Sequence, residues 1–135
     1  MYLSLPGWQS VPFLQESLSV CVPEGHALAA YDKLTFAQMN GFNFLLYSEI
    51  GFWDAMCREN MPSSKFLVQT DEFAMQELIR SSSLPCFVTN LAEGGAEQTG
   101  RKRIPVTDPA ANVTYYLLVP AGNAWLAKLA KRLAI

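Results

Sequence analysis

Three polar steps stand directly after short apolar runs: Ser48-Glu49 after Asn43–Tyr47, Thr70-Asp71 after Phe66–Gln69, and Thr89-Asn90 at the end of Cys86–Thr89. In a layered α/β domain, ligands bind beyond the carboxyl ends of the strands, where helix N-termini and their free N–H groups point at them. Hydroxyl, carboxyl and amide groups at such ends suit recognition of a polar small molecule. The same residue types also cap helices irrespective of any ligand. Other chemistries find less support. A Ser-His-Asp or Cys-His arrangement would have to use the single histidine, His26. That residue follows Glu24-Gly25 at a turn, and no G-x-S-x-G signature accompanies it. Cys21, Cys57 and Cys86 are widely spaced with no C-x-x-C pair, so no zinc site is expected. Gly94-Gly95 lacks the preceding strand and the following Lys of a phosphate loop. Asp71 and Glu72 are adjacent and point apart on a helix, which excludes a paired-carboxylate site. The reading is therefore no enzyme, no metal and no cofactor. Arg101-Lys102-Arg103 reads as a solvated basic loop.

The elements that would position these residues follow from periodicity. Glu16–Pro23 alternates, with Leu18, Val20 and Val22 opposed to Ser17, Ser19 and Cys21, as a strand does. Before it, Met1–Pro12 looks like a tail or crossing segment. Thr35 caps a short helix over Phe36–Asn40 that Gly41 ends. Asn43–Tyr47 is a strand covered on both faces. Phe52–Asn60 is a helix with Trp53, Met56 and Cys57 on one face. Phe66–Gln69 is a strand. Thr70 or Asp71 caps a helix that turns Phe73, Ala74, Leu78 and Met75 inward and ends at Ser81–Ser83. Cys86–Thr89, Arg103–Val106 and Val113–Val119 are extended. Asn123 caps a last helix with a stripe of Leu126, Leu129, Ala130 and Leu133, and Lys128, Lys131 and Arg132 opposite. Strands alternating with helices predict an α/β fold with a mixed, mainly parallel sheet flanked by helices.

Composition agrees with one folded domain. Of 135 residues, 50% are apolar and 16% charged, against a usual charged share of about 25%. Disorder is excluded. The net charge of −2 argues against binding nucleic acid through bulk charge. No apolar run reaches the roughly 18 residues of a membrane span, and no positive n-region of a signal peptide precedes Lys33. With three unpaired-looking cysteines the chain reads as cytoplasmic, with no membrane partner.

The run Pro12–Ala29 (PFLQESLSVCVPEGHALA) resembles the effector-domain segment of LysR-type transcriptional regulators, in which a strand ending in Pro precedes a Gly-His-Pro-Leu-Ala signature; Ala27 stands in place of that Pro. Leu34–Leu46 is similar to the helix and strand that follow in that family, and Arg103–Pro120 to its late returning strand. The resemblance covers most of residues 12–134. It implies one lobe of a fold like the type 2 periplasmic binding proteins, with hinge crossings near Val11–Gln15 and Pro109–Thr114. The expected organisation is a single domain over 1–135, comprising a second lobe over 12–119 and a C-terminal helix over 120–135 that would dock on an absent first lobe. The family's winged helix-turn-helix is also absent, so DNA is expected as a partner only through a domain outside this chain. The implied function is effector sensing. Ser48 and the amides of Ile50 and Gly51 would donate to an anionic or polar effector at a helix N-terminus, Thr70 and Thr89 would add polar contacts, and Phe52 would form an apolar wall. Glu49 beside the site disfavours an anion unless it faces solvent. The alternative is a stand-alone interaction domain. Trp125, Leu126, Leu129 and Leu133 are too apolar to face water together, which predicts a homodimer with this helix in the contact.

Overall fold

The computed structural model describes residues 7–47, 52–91 and 100–133. The chain forms two compact units, Ser17–Ala111 and the pair of segments Met1–Glu16 with Asn112–Ile135. The strand β1 (Trp8–Val22) runs through both.

In the larger unit the remaining elements follow in the order α1 (Phe36–Met39), β2 (Phe44–Tyr47), α2 (Trp53–Asn60), β3 (Phe66–Gln69), α3 (Glu72–Ser81), β4 (Cys86–Thr89) and β5 (Lys102–Pro105). Strand order is β3-β2-β4-β1-β5. β2 runs parallel to β3 in the register Phe44↔Phe66 to Tyr47↔Gln69, and parallel to β4 at Leu45↔Cys86. β1 runs antiparallel to both β4 and β5. Four of these strands thus share one direction and β1 opposes them, the mixed and mainly parallel sheet that the alternating pattern predicts.

The local signals explain most boundaries. Thr35 and Gln38 close a capping box at α1: the Gln38 N–H donates to Thr35 Oγ1 at 3.3 Å, and the Thr35 N–H donates to Gln38 Oε1 at 2.9 Å. Asp71, rather than Thr70, caps α3, with the Ala74 N–H donating to its Oδ2 at 3.0 Å. Asp108 reaches across the unit, its Oδ1 accepting the Phe36 N–H at 2.8 Å.

Three expectations need correction. Of the two readings of the opening segment, the tail fails: Trp8–Pro12 is the start of β1, with Val11 buried. On α3, Met75 and Ile79 are buried and Ala74 and Leu78 partly so, whereas Phe73 is 71% exposed. Residues two apart are about 200° apart around a helix of 3.6 residues per turn, so Phe73 and Met75 cannot both face the sheet. The third is Arg101, which is buried, 7% exposed, rather than solvated. From Leu18 to Val22 both faces of β1 are buried, and Ser19 and Cys21 are small enough to pack there.

In the smaller unit β6 (Asn112–Pro120) pairs with β1, and the Ala121 N–H donates to the Gly7 carbonyl at 2.8 Å. Gly7 holds a φ of +79°, the left-handed region that glycine enters without a Cβ penalty. Asn123 caps α4 (Ala124–Leu133) as expected, its Oδ1 accepting the Leu126 N–H at 3.1 Å. Leu126 packs on Val11 and Val119. Trp125, 69% exposed, is joined on the open face by Leu129 and Leu133.

Candidate functional site

The parallel strands β3, β2 and β4 are neighbours, so their carboxyl ends lie at one end of the sheet. Three residues expected to touch a ligand fall there within the described part of the chain. Ser48, Glu49, Ile50 and Gly51, which follow β2, lie outside the described residues.

Phe52 opens α2. It is half-exposed and stacks on the Trp53 ring, with centroids 4.6 Å apart. Its side chain supplies no cap to the first turn of α2, unlike Asp71 at α3. Neutralisation of that helix end falls to Asp54 in the first turn, which is ion-paired with Arg58. Trp53 itself is buried, and its indole Nε1–H finds no acceptor among the described residues. A buried donor without a partner is costly and uncommon. Thr70 is exposed at the end of β3. Thr89 is 1% exposed, and its Oγ1 accepts the Leu91 N–H at 3.2 Å. It therefore shapes the turn after β4 from inside. Next to it, Asn90 Oδ1 accepts the Ser17 N–H at 2.7 Å and ties that turn to β1. Of the expected contacts, Phe52 and Thr70 present surface at the strand ends, whereas Thr89 is committed to local structure.

The sequence reading missed the role of Arg101. Its Nε and Nη2 donate to the Ile79 carbonyl at 3.2 and 2.9 Å, and Nη2 also donates to Ser82 O at 2.9 Å. Nη1 donates to Leu84 O at 2.6 Å and to Cys21 O at 3.3 Å. The guanidinium thus ends α3, satisfies carbonyls that the helix leaves orphaned, and ties that end to β1. No sequence motif marks this, because the partners are backbone carbonyls up to 80 residues away. His26 is structural: its Nδ1 accepts the Leu28 N–H at 3.0 Å at the start of a 3-10 turn over Ala27–Ala30. Burial, and secondarily the Arg101 charge, lower its pKa from the usual 6.5. In the smaller unit the Tyr115 hydroxyl donates to Glu16 Oε1 at 2.7 Å. Burial first, then that hydrogen bond and the Glu16 charge, push Tyr115 up to about 12.

A separate open depression of about 540 Å³ is lined by Tyr31, Asp32, Lys33, Thr35, Gln38 and Thr107 among others, and contains none of the expected contacts. Among the described residues no three His, Cys, Asp or Glu side chains gather as a metal site. No helix among them is long and apolar enough to cross a membrane.

The family model described as LysR substrate binding domain matches residues 2–133. No curated protein matches the chain. Among solved structures, a full-length OxyR variant from Pseudomonas aeruginosa superposes with a TM-score of 0.63 at 14% identity, covering 99% of this chain and 47% of that one. The regulatory domain of MetR, a LysR family regulator from N. meningitidis, gives 0.62 at 12% identity, covering 97% and 64%. The effector binding domain of QuiR in complex with shikimate gives 0.59 at 18% identity, covering 95% and 64%. The chain thus spans about half of the full-length regulator and under two thirds of these two regulatory domains. At these identities the likeness concerns the fold, the periplasmic-binding-like α/β architecture of LysR regulatory domains.

Proposed function

This chain belongs to the LysR substrate binding domain family, and we propose from that premise that it is the effector-sensing part of a LysR-type, DNA-binding transcriptional regulator and not an enzyme. A small polar metabolite binds at the carboxyl ends of β2, β3 and β4, and its differential affinity for two arrangements changes DNA affinity in a domain outside this chain. Ser48 and the amides of Ile50 and Gly51 donate to it, Glu49 either faces solvent or favours a cationic or neutral ligand, and Phe52 and Thr70 complete the surface. Residues 12–119 act as the second lobe, and the helix within residues 120–135 lies in the homodimer contact. The protein works in the cytoplasm as a homodimer.

The observation that supports this reading is the side-by-side parallel order of β3, β2 and β4, which brings their carboxyl ends to one end of the sheet. The QuiR domain, solved with shikimate, is a precedent for a small-molecule ligand on this fold. Calorimetric titration of the regulator with a metabolite panel tests the proposal. Binding is expected that Ser48→Ala weakens roughly tenfold, the loss of about 1.4 kcal/mol that one good polar contact supplies, and that Phe52→Asp weakens by a similar factor through loss of the apolar wall. Unchanged affinity in both variants removes this end of the sheet as the site.

A stand-alone interaction domain is the second reading. It is favoured by one feature, the open apolar face of Trp125, Leu129 and Leu133 on α4. A clean monomer that binds a metabolite excludes it.

A further inference from the structure

Cys21 and Cys86 stand directly opposite each other in the antiparallel ladder of β1 and β4. Opposed residues in such a ladder point to the same face, with Cα atoms about 4.5–5.5 Å apart. A disulfide closes without backbone movement over about 4.4–6.8 Å. Both residues are thiols outside any disulfide, buried in one apolar cluster with Leu45, Met75, Ile79 and Val88. They form the last pair of the four-residue register that begins at Leu18↔Thr89. Local opening at this end of the four-pair ladder admits a small reagent to the pair.

The surroundings favour reaction here over the third cysteine. A hydrogen bond from the Cys21 side chain, and the charge and hydrogen bonding of Arg101, hold the Cys86 thiol below its usual pKa against the opposing effect of burial. Arg101 also fixes the strand carrying the partner, through its bond to the Cys21 carbonyl. Cys57, on α2, is not in this cluster; burial, and next the Asp54 charge, push it up to about 12. A thiol kept protonated is a poor nucleophile.

We propose that Cys21 and Cys86 are an oxidative modification site, at which a hydroperoxide converts the opposed thiols to an intramolecular disulfide that locks the end of β1 to β4. The Cys86 thiolate attacks one peroxide oxygen. The O–O bond breaks, the departing hydroxide takes up the proton that the Cys86 thiol released on forming the thiolate and leaves as water, and Cys86 becomes a sulfenic acid. The Cys21 sulfur then displaces the hydroxyl from that sulfur, and the S–S bond forms as its proton leaves with the hydroxyl as a second water. Two electrons pass from the two thiols to one hydrogen peroxide, giving one disulfide and two waters. The pairing is independent of the effector site, so the two proposals stand or fall separately.

The test uses the whole chain, reduced and then exposed to a slight excess of hydrogen peroxide, unfolded, alkylated and weighed. Untreated protein takes up three alkyl groups, one for each cysteine. Treated protein is expected to take up one, to yield a linked peptide pair holding Cys21 and Cys86, and to recover all three on reduction. In Cys57→Ser the count is expected to fall from two to none. In Cys21→Ser, a sulfenic-acid trap is expected to label position 86. Oxidation in strong denaturant, where the ladder is gone, should lose the selectivity for this pair. Three thiols surviving in folded protein at a peroxide dose that oxidises the unfolded chain would overturn the proposal. Links through Cys57, or between two chains, would overturn it equally.

Discussion

Arg101 shows how one side chain can hold several elements at once. Its five N–H···O contacts go to carbonyls of Ile79, Ser82, Leu84 and Cys21. Removing a charged donor leaves buried acceptors unpaired, at about 1–3 kcal/mol per group and not additively. Arg101→Met is therefore expected to lower unfolding free energy by on the order of 3 kcal/mol, read as a drop in urea midpoint. Arg101→Lys should recover little, because an ammonium lacks the planar fork that reaches carbonyls on several sides. His26 makes a smaller, pH-dependent contribution. Its Nδ1 must be unprotonated to accept the Leu28 N–H. Its folded pKa lies below the unfolded value of 6.5, so its stabilisation is present above that value and is lost as pH falls through the folded pKa. An NMR titration should place its midpoint below 6.5, and His26→Ala should flatten the stability profile in that window.

At the scale of elements, α3 separates capping, burial and exposure within ten residues. Asp71→Ala is expected to cost about 1 kcal/mol through loss of the cap. Ile79→Ala should cost about 2–5 kcal/mol, because the residue is buried in the cluster with Cys21 and Cys86. Phe73→Ser should change stability by less than about 0.5 kcal/mol, because its side chain already faces water. Thermal melts of the three variants check the ranking. A large loss for Phe73→Ser would mean that this face is covered in solution. Periodicity alone placed the helix correctly but turned it toward Phe73, the bulkiest apolar residue. Burial instead follows the i, i+4 pair Met75 and Ile79 that fits over the sheet.

For the whole molecule, the open question is what meets α4. Trp125, Leu129 and Leu133 are exposed while Leu126 packs against Val11 and Val119. Three such side chains left in water forgo roughly 1.5–3 kcal/mol each. In the proposed homodimer this face lies in the contact. Trp125→Glu with Leu129→Lys is then expected to shift the protein from dimer to monomer in sedimentation velocity. A double variant that stays dimeric places the dimer contact elsewhere.

Sequence alone determined the alternation of strands and helices, the caps at Thr35 and Asn123, and the polar strand ends, because these signals lie within a few neighbouring residues. The family resemblance was legible for the same reason, in short contiguous runs such as Pro12–Ala29. Tertiary structure decided the rest. Packing over both faces of β1 buried Ser19 and Cys21, the latter against Met75 and Ile79 of α3. The pairing of β1 with β4 brought Cys21 opposite Cys86, 65 residues apart in the chain. The fold also carried the basic Arg101 into the interior, to carbonyls its own neighbourhood does not contain. Local sequence encodes conformation and polarity. Which groups meet depends on how distant strands pair, and that is set by the packing of the whole sheet rather than by any single segment.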